Sequence, residues 1–475
     1  MAIIGAGFGG LAAAIELKKR GLDDIVVLEK GDDVGGVWRE NTYPGAACDV
    51  PSPFYSYSFE PNPRWPRRFS RQPAILEYVK GVADTYDVRR HVRFGAEVTG
   101  ATYDDPTGRW TVTLAGGEAF EVDVLVSAVG QLSRPAYPDV PGRESFAGPS
   151  FHSARWDHDV DLTGKRVAVV GTGASAVQLV PAIQPSTAHL TVFQRSSPYI
   201  LPRPDREFTP LHARAFERFP VTALVERAAS YGLVETLSVA WVHSERLAGV
   251  IKAASWWHMR RQTKAKPGLF DQVWPDHPIG CKRVLFSDDY LPALAQPDVD
   301  VVTEPISEIT PDGVVAGGRL HEADVLVWGT GFKATEFLAP MTIRGAGGRL
   351  LADEWSAGAH AYYGLAVPGF PNLVIMYGPN TNTGGGSIIY FLEAQAVHLA
   401  DFVEQVAATG RPHAVRREVE AAYDAQVQRE LRGSVWSRCS SWYRQADGRV
   451  TTNWPRLGVQ YRRQARFDPA DYEAV

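Results

Sequence analysis

The chain has only three cysteines, Cys48, Cys281 and Cys439, far apart and without a Cys-x-x-Cys pair. That spacing excludes a disulfide framework and a cysteine-based zinc site, and no other metal site is expected. An odd count fits a reducing compartment. A run of about 20 apolar residues is missing, and so is the basic-then-apolar opening of a secretory leader. The expectation is a cytoplasmic protein without membrane attachment. A basic excess is missing too: 49 Lys and Arg against 54 Asp and Glu give a net charge of −5. This argues against nucleic-acid binding, whose footprint is strongly basic. What is present is ordinary for a globular chain of 475 residues, 45% apolar and 22% charged, long enough for two or three domains. Tryptophan (13) and glycine (44) are generous, which suits loops that approach flat aromatic cofactors closely.

Residues 2–30 read AIIGAGFGGLAAAIELKKRGLDDIVVLEK. A short apolar strand runs into Gly5-x-Gly7-x-x-Gly10, then an Ala/Leu-rich helix, then a strand ending at Glu29. Gly5 allows the tight turn, Gly7 lets backbone approach a pyrophosphate, and Gly10 lets helix pack on strand. The helix N-terminus offers free N–H groups to a diphosphate. Glu29 is positioned to accept hydrogen bonds from a ribose 2′-hydroxyl.

The pattern recurs at GKRVAVVGTGASAVQLVPAIQPSTAHLTVFQRS: a strand, Gly171-x-Gly173-x-x-Ala176 with Ser175 inside it, a helix, and a strand ending at Arg195 and Ser196. Glu29 lies 24 residues after Gly5, and Arg195 lies 24 after Gly171. One structural address therefore holds an acid in the first unit and a base in the second. An acid suits a bare 2′-hydroxyl, whereas an arginine suits a 2′-phosphate. The first unit is expected to bind FAD and the second NADPH rather than NADH. The alternative for Arg195 is a solvated strand-end charge. Gly36 and Trp38, in the turn after the Glu29 strand, supply a second close approach to FAD. Two apolar strands, in DVLVSAVGQLSRP and ADVLVWGTGF, are read as delivering chain to the flavin. A disulfide reductase is disfavoured, because Cys48 has no partner near it in sequence.

Residues 146–157 read FAGPSFHSARWD, just before the second unit. Here the sequence resembles the type I Baeyer–Villiger monooxygenases, a branch of the class B flavoprotein monooxygenases. Their fingerprint F-x-G-x-x-x-H-x-x-x-W-(P/D) is matched at Phe146, Gly148, His152, Trp156 and Asp157. The resemblance extends over nearly the whole chain. It implies a flavin-side aspartate at Asp49, a flavin-side glutamine at Gln131, a lysine for the NADPH 2′-phosphate at Lys282 and an active-site arginine at Arg283. It also implies an NADP-covering tryptophan at Trp442. The stretch after Trp442, RQADGRVTTNWP, departs from the family's GANIPGK-like segment. For His152 the preferred reading is a hinge that fixes how the two domains meet. The alternatives are a direct catalytic role for His152 and, for Arg283, a surface ion pair with Asp288 or Asp289. Lys282 is alternatively a solvated lysine.

The implied architecture is α/β, with two Rossmann-like dinucleotide-binding domains. Residues 1–145 and 326–475 form the FAD domain, and 146–325 the NADPH domain with a helical insertion at about 205–270. The preferred reading of that insertion is helices packing on the core; alternatively its Trp241, Trp256 and Trp257 wall the substrate pocket. The implied reaction converts a ketone to an ester or lactone through a C4a-peroxyflavin, using dioxygen and FAD with NADP(H), and NADP+ stays bound as a lid. The rival is a flavin-containing monooxygenase acting on sulfides or amines. A monomer or homodimer is expected.

Overall fold

The computed structural model describes residues 1–475 apart from Ser440, Trp442 and Ala446, and omits the side chains of Trp241 and His243. Two parallel five-stranded sheets organise the described residues. The first has the order Leu373–Ile375, Leu125–Ser127, Ala2–Ile4, Val26–Leu28, Val92–Arg93. Strands Ala2–Ile4, Leu125–Ser127 and Leu373–Ile375 are buried throughout and apolar except for Ser127, as strands covered on both faces are. The Phe8–Lys19 helix packs on this sheet through Leu11, Ile15 and Leu17, and its small Ala12–Ala14 run lets the long Ile388–Thr409 helix lie close.

The second sheet has the order Val299–Val302, His189–Phe193, Arg166–Val170, Val325–Trp328, Ser150–His152. Two differences from the sequence reading follow. The strand in ADVLVWGTGF pairs with Arg166–Val170, so it completes the second sheet rather than approaching the first. The FAGPSFHSARWD stretch, read as lying just before the second unit, forms an edge strand of its sheet over Ser150–His152. A strand of three residues has too little alternation to declare itself in sequence.

Helices Pro210–Arg218, Pro220–His243 and Glu245–Gln262 form the insertion. Trp256 and Trp257 on the last of these are 43% and 59% exposed and carry Arg260 and Arg261 over their rings. Trp241 lies outside the described side chains. No described helix is long and apolar enough to cross a membrane.

The cysteine expectation needs one correction. Cys281 and Cys439 are joined as a disulfide across a separation of 158 residues, with Cα atoms 6.2 Å apart; Cys48 is free and buried. Sequence spacing cannot reveal a pair that only the fold brings together.

Candidate active site

Gly5 turns the chain from strand to helix with φ +102, a conformation that side chains disfavour. A Cβ on Gly10 would sit 1.8 Å from the Gly5 carbonyl oxygen, so only glycine fits there. Gly7 caps the Phe8–Lys19 helix without any side-chain cap bond, which leaves the first-turn N–H groups to a ligand. Gly36 closes on this loop, and a Cβ there would lie 3.0 Å from the Gly7 Cα. Glu29 is 4% exposed. Its oxygens accept the Ala6 and Gly31 N–H groups at 2.9 and 2.8 Å, with Arg39 at 3.4 Å. The carboxylate thus braces the loop and keeps acceptor capacity for a hydroxyl. Arg39, unremarked in the sequence, is its near neighbour. Trp38 donates its indole N–H to the Tyr55 hydroxyl at 3.1 Å. Gln131 is buried and donates to the Tyr377 carbonyl at 3.0 Å, while its Oε1 has no partner among the described residues. A buried orphan acceptor beside an uncapped helix end fits a polar ring system such as a flavin.

Gly173 caps the Ala174–Ile183 helix in the same uncapped way, and Gly171 has φ +116. Ser175, in the first turn, hydrogen-bonds the Tyr43 hydroxyl, whose pKa burial pushes up to about 12. At the end of the next strand Lys282 Nζ donates to Ser196 Oγ at 2.7 Å. Burial lowers the Lys282 pKa and the charge of nearby Arg195 lowers it further. Two cations and a hydroxyl that converge against their own repulsion suit a phosphate. Arg195 is exposed, as a group that meets a soluble coenzyme must be.

Arg283 and Asp49 make the contact on which the site turns. Arg283 donates Nε to Asp49 Oδ2 and Nη2 to Asp49 Oδ1, both at 2.7 Å. Its partner is neither Asp288 nor Asp289. The side chains are 29% and 20% exposed, so the bidentate pair is largely withdrawn from water. Burial, the largest single influence, lowers the Arg283 pKa, but the charge and hydrogen bond of Asp49 together with Tyr443 and Cys48 hold it above its usual value. Tyr377 and Tyr443 lie within the field of this guanidinium; burial pushes the Tyr443 pKa up to about 12 despite the cation. Sequence reasoning missed both tyrosines.

The segment that carries Asp49 is tied to the second unit. Gln178 accepts from the Tyr43 hydroxyl at 2.9 Å and the Ala47 N–H at 3.1 Å, and donates to the Ala47 carbonyl at 2.9 Å. Gln178 is another residue the sequence did not flag. His152 is fully buried, its Nδ1 accepting the Ala154 N–H at 3.1 Å and its ring edge-on to Tyr137 and Phe332. Burial lowers its pKa to about 4, so it is neutral at pH 7. Nearby Arg155 donates to the Ser133 carbonyl at 3.2 Å, and His158 meets Thr42 at 2.8 Å. These contacts cross between the two units. Trp156 packs edge-on to Phe151. Trp442 lies outside the described residues.

Known proteins match this arrangement. The family described as pyridine nucleotide-disulphide oxidoreductase matches residues 2–219. A Baeyer–Villiger monooxygenase of Streptomyces coelicolor is 43% identical, covering 100% of this chain and 92% of the relative. One from Pseudomonas aeruginosa is 42% identical over 99% of this chain and 90% of the relative. Among solved structures, an oxidized steroid monooxygenase bound to NADP superposes with a TM-score of 0.89 at 30% identity, covering 100% of this chain and 99% of that one. A closed cyclohexanone monooxygenase also gives 0.89, at 28% identity, covering 100% of this chain and 98% of that one. With 43% and 42% identity to two such enzymes over nearly its full length, the chain belongs to the Baeyer–Villiger monooxygenases.

Proposed function

We propose that the chain converts a ketone, dioxygen, NADPH and a proton into an ester or lactone, NADP+ and water. In this reading FAD is held by the loop at Gly5, Gly7 and Gly10 with Glu29, Gly36, Trp38 and Gln131. NADPH is held by Gly171, Gly173 and Ser175, with Arg195, Ser196 and Lys282 on its 2′-phosphate. The bound flavin supplies the electrons that activate dioxygen. The Arg283–Asp49 pair carries the proposal. A guanidinium cannot lose its proton at any working pH, so it offers fixed positive charge where negative charge develops on the carbonyl oxygen. Asp49 engages Nε and Nη2, which orients the group and assigns the Nη1 edge to the substrate. Removing one such electrostatic stabiliser costs about 3–4 kcal/mol, a rate loss of roughly 10²–10³.

His152 serves as a positioning residue, since a neutral, buried imidazole at the domain junction is suited to packing rather than proton transfer. Trp442 covers NADP in the same reading. In this reading the enzyme is cytoplasmic and acts as a monomer or homodimer. The test is a panel of cyclic, aryl and long linear ketones plus a thioether, with products identified by mass spectrometry. Ester or lactone with one incorporated oxygen atom is expected. Sulfoxide without any ester would assign the chain to sulfide oxygenation instead.

A further inference from the structure

A small pocket, partly open to solvent, lies between the Pro220–His243 helix, the start of the Ile388–Thr409 helix and residues 454–458. Its walls lead back to Arg283 along three routes. Phe54 lies shortly past Asp49 in the chain. Trp436 has its ring 6.3 Å from Tyr443, which feels the Arg283 charge. Thr383 follows Asn382, which accepts the Tyr377 hydroxyl at 2.9 Å. Cys281, just before Lys282 and Arg283, packs in the same apolar cluster as Trp436 and Trp454. The pocket thus lies one side chain beyond the tyrosines that feel the Arg283 charge.

The lining is apolar and aromatic except for a few polar groups. Glu235 Oε1 accepts the Gly458 N–H at 2.8 Å, and its carboxyl is hydrogen-bonded to the Tyr231 hydroxyl. Burial raises the Glu235 pKa above the ordinary carboxyl value. Ser387 is 1% exposed and is the N-cap residue of the Ile388–Thr409 helix. Its hydroxyl makes no cap bond and has no other partner among the described residues. Buried hydroxyls find partners as a rule, so an orphan in the wall of a pocket points to a ligand. The neighbouring Thr383 hydroxyl, by contrast, is spent on the Gly386 carbonyl at 2.7 Å.

We propose that this pocket receives the end of the ketone remote from its carbonyl, and that Glu235 and Ser387 together bind a hydroxyl group carried there. The inference rests on the ketone-oxidising reading above and names its substrate class: hydroxylated ketones. A hydroxyl is both donor and acceptor, so it donates to the Glu235 carboxyl and accepts from Ser387 Oγ–H. A methyl terminus satisfies neither. An ammonium only donates, and it faces the positive end of a 22-residue helix.

The test uses the FAD-loaded full chain with NADPH and three linear ketones of equal length, ending in methyl, hydroxyl or primary amine. Ester formation gives kcat/KM for each. The hydroxyl-ended ketone is expected to lead the methyl-ended one by about 10-fold or more, because a site built to bond a hydroxyl rejects the analogue without one. Ser387→Ala and Glu235→Leu are each expected to bring that ratio toward one, chiefly through KM. Ser387→Ala guards against misfolding, since Ser387 makes no bond that the fold would lose. A ratio near one in the unmodified enzyme, a ratio unmoved in both variants, or a preference for the amine overturns the proposal. Ester from none of the three ketones, with NADPH still consumed, removes instead the activity on which the proposal rests.

Discussion

In the first glycine loop, Gly7 and Gly36 press together and a Cβ on Gly10 would strike the Gly5 carbonyl, whereas in the second loop a Cβ on Gly173 would meet nothing within 4 Å. Where the first loop has Gly10, the second tolerates Ala176, buried with 0% exposure. The strand ends differ in sign as well: Glu29 is locked by two backbone N–H groups, whereas Arg195 is exposed beside Lys282 and Ser196. One plan thus serves two tasks. The loop that is crowded at its second and third positions, with its braced acid, suits a cofactor that stays, and the loop that is open at its second position, with its cations, suits a coenzyme that arrives by charge and leaves.

Exchanging glycine and alanine at the third loop position breaks this comparison most sharply. Gly10→Ala is expected to leave protein without bound flavin, read as loss of the visible flavin absorbance after gel filtration. Ala176→Gly, at the matching position, is expected to cost only about 0.5–1 kcal/mol of stability. Equal flavin content in the two variants would erase the distinction between the loops.

Charge at the second strand end gives a smaller effect. Arg195→Ala and Lys282→Ala are each expected to lower kcat/KM for NADPH by about 10- to 100-fold while leaving NADH much less affected, the value of a charge-assisted hydrogen bond. Unchanged discrimination would reassign the phosphate elsewhere.

The smallest effect concerns pH and falls on both halves alike. His152 in the second sheet and His398 in the long helix are both pushed by burial to about 4 from an ordinary 6.5. A depressed histidine pKa contributes stability that is present above pH 6.5 and lost as pH falls toward 4. Denaturant unfolding is therefore expected to show stability falling from pH 6.5 to 4, with a shallower fall in His398→Gln. A flat profile over that window would contradict the burial of these rings.

Both nucleotide units were legible because each is a local pattern: glycines, a helix start and a strand-end charge within a few dozen residues. The Arg283–Asp49 pair, separated by 234 residues, was reachable only through the resemblance to a family. The Cys281–Cys439 bond, the Gln178 clasp on the Asp49 segment and the tyrosines beside Arg283 were not legible at all. Contacts made by folding leave no periodicity behind. The same holds for Ser150–His152 and Val325–Trp328, whose sheet is chosen by neighbours rather than by their own apolar residues.

The account rests on the guanidinium of Arg283 acting on the ketone and not on the delivery of electrons. Arg283→Ala, followed by anaerobic flavin reduction with NADPH and then by ester formation in air, separates the two. Reduction near the unmodified rate with ester formation lowered about 10²–10³-fold is the expected result. Ester formation at the unmodified rate would contradict it.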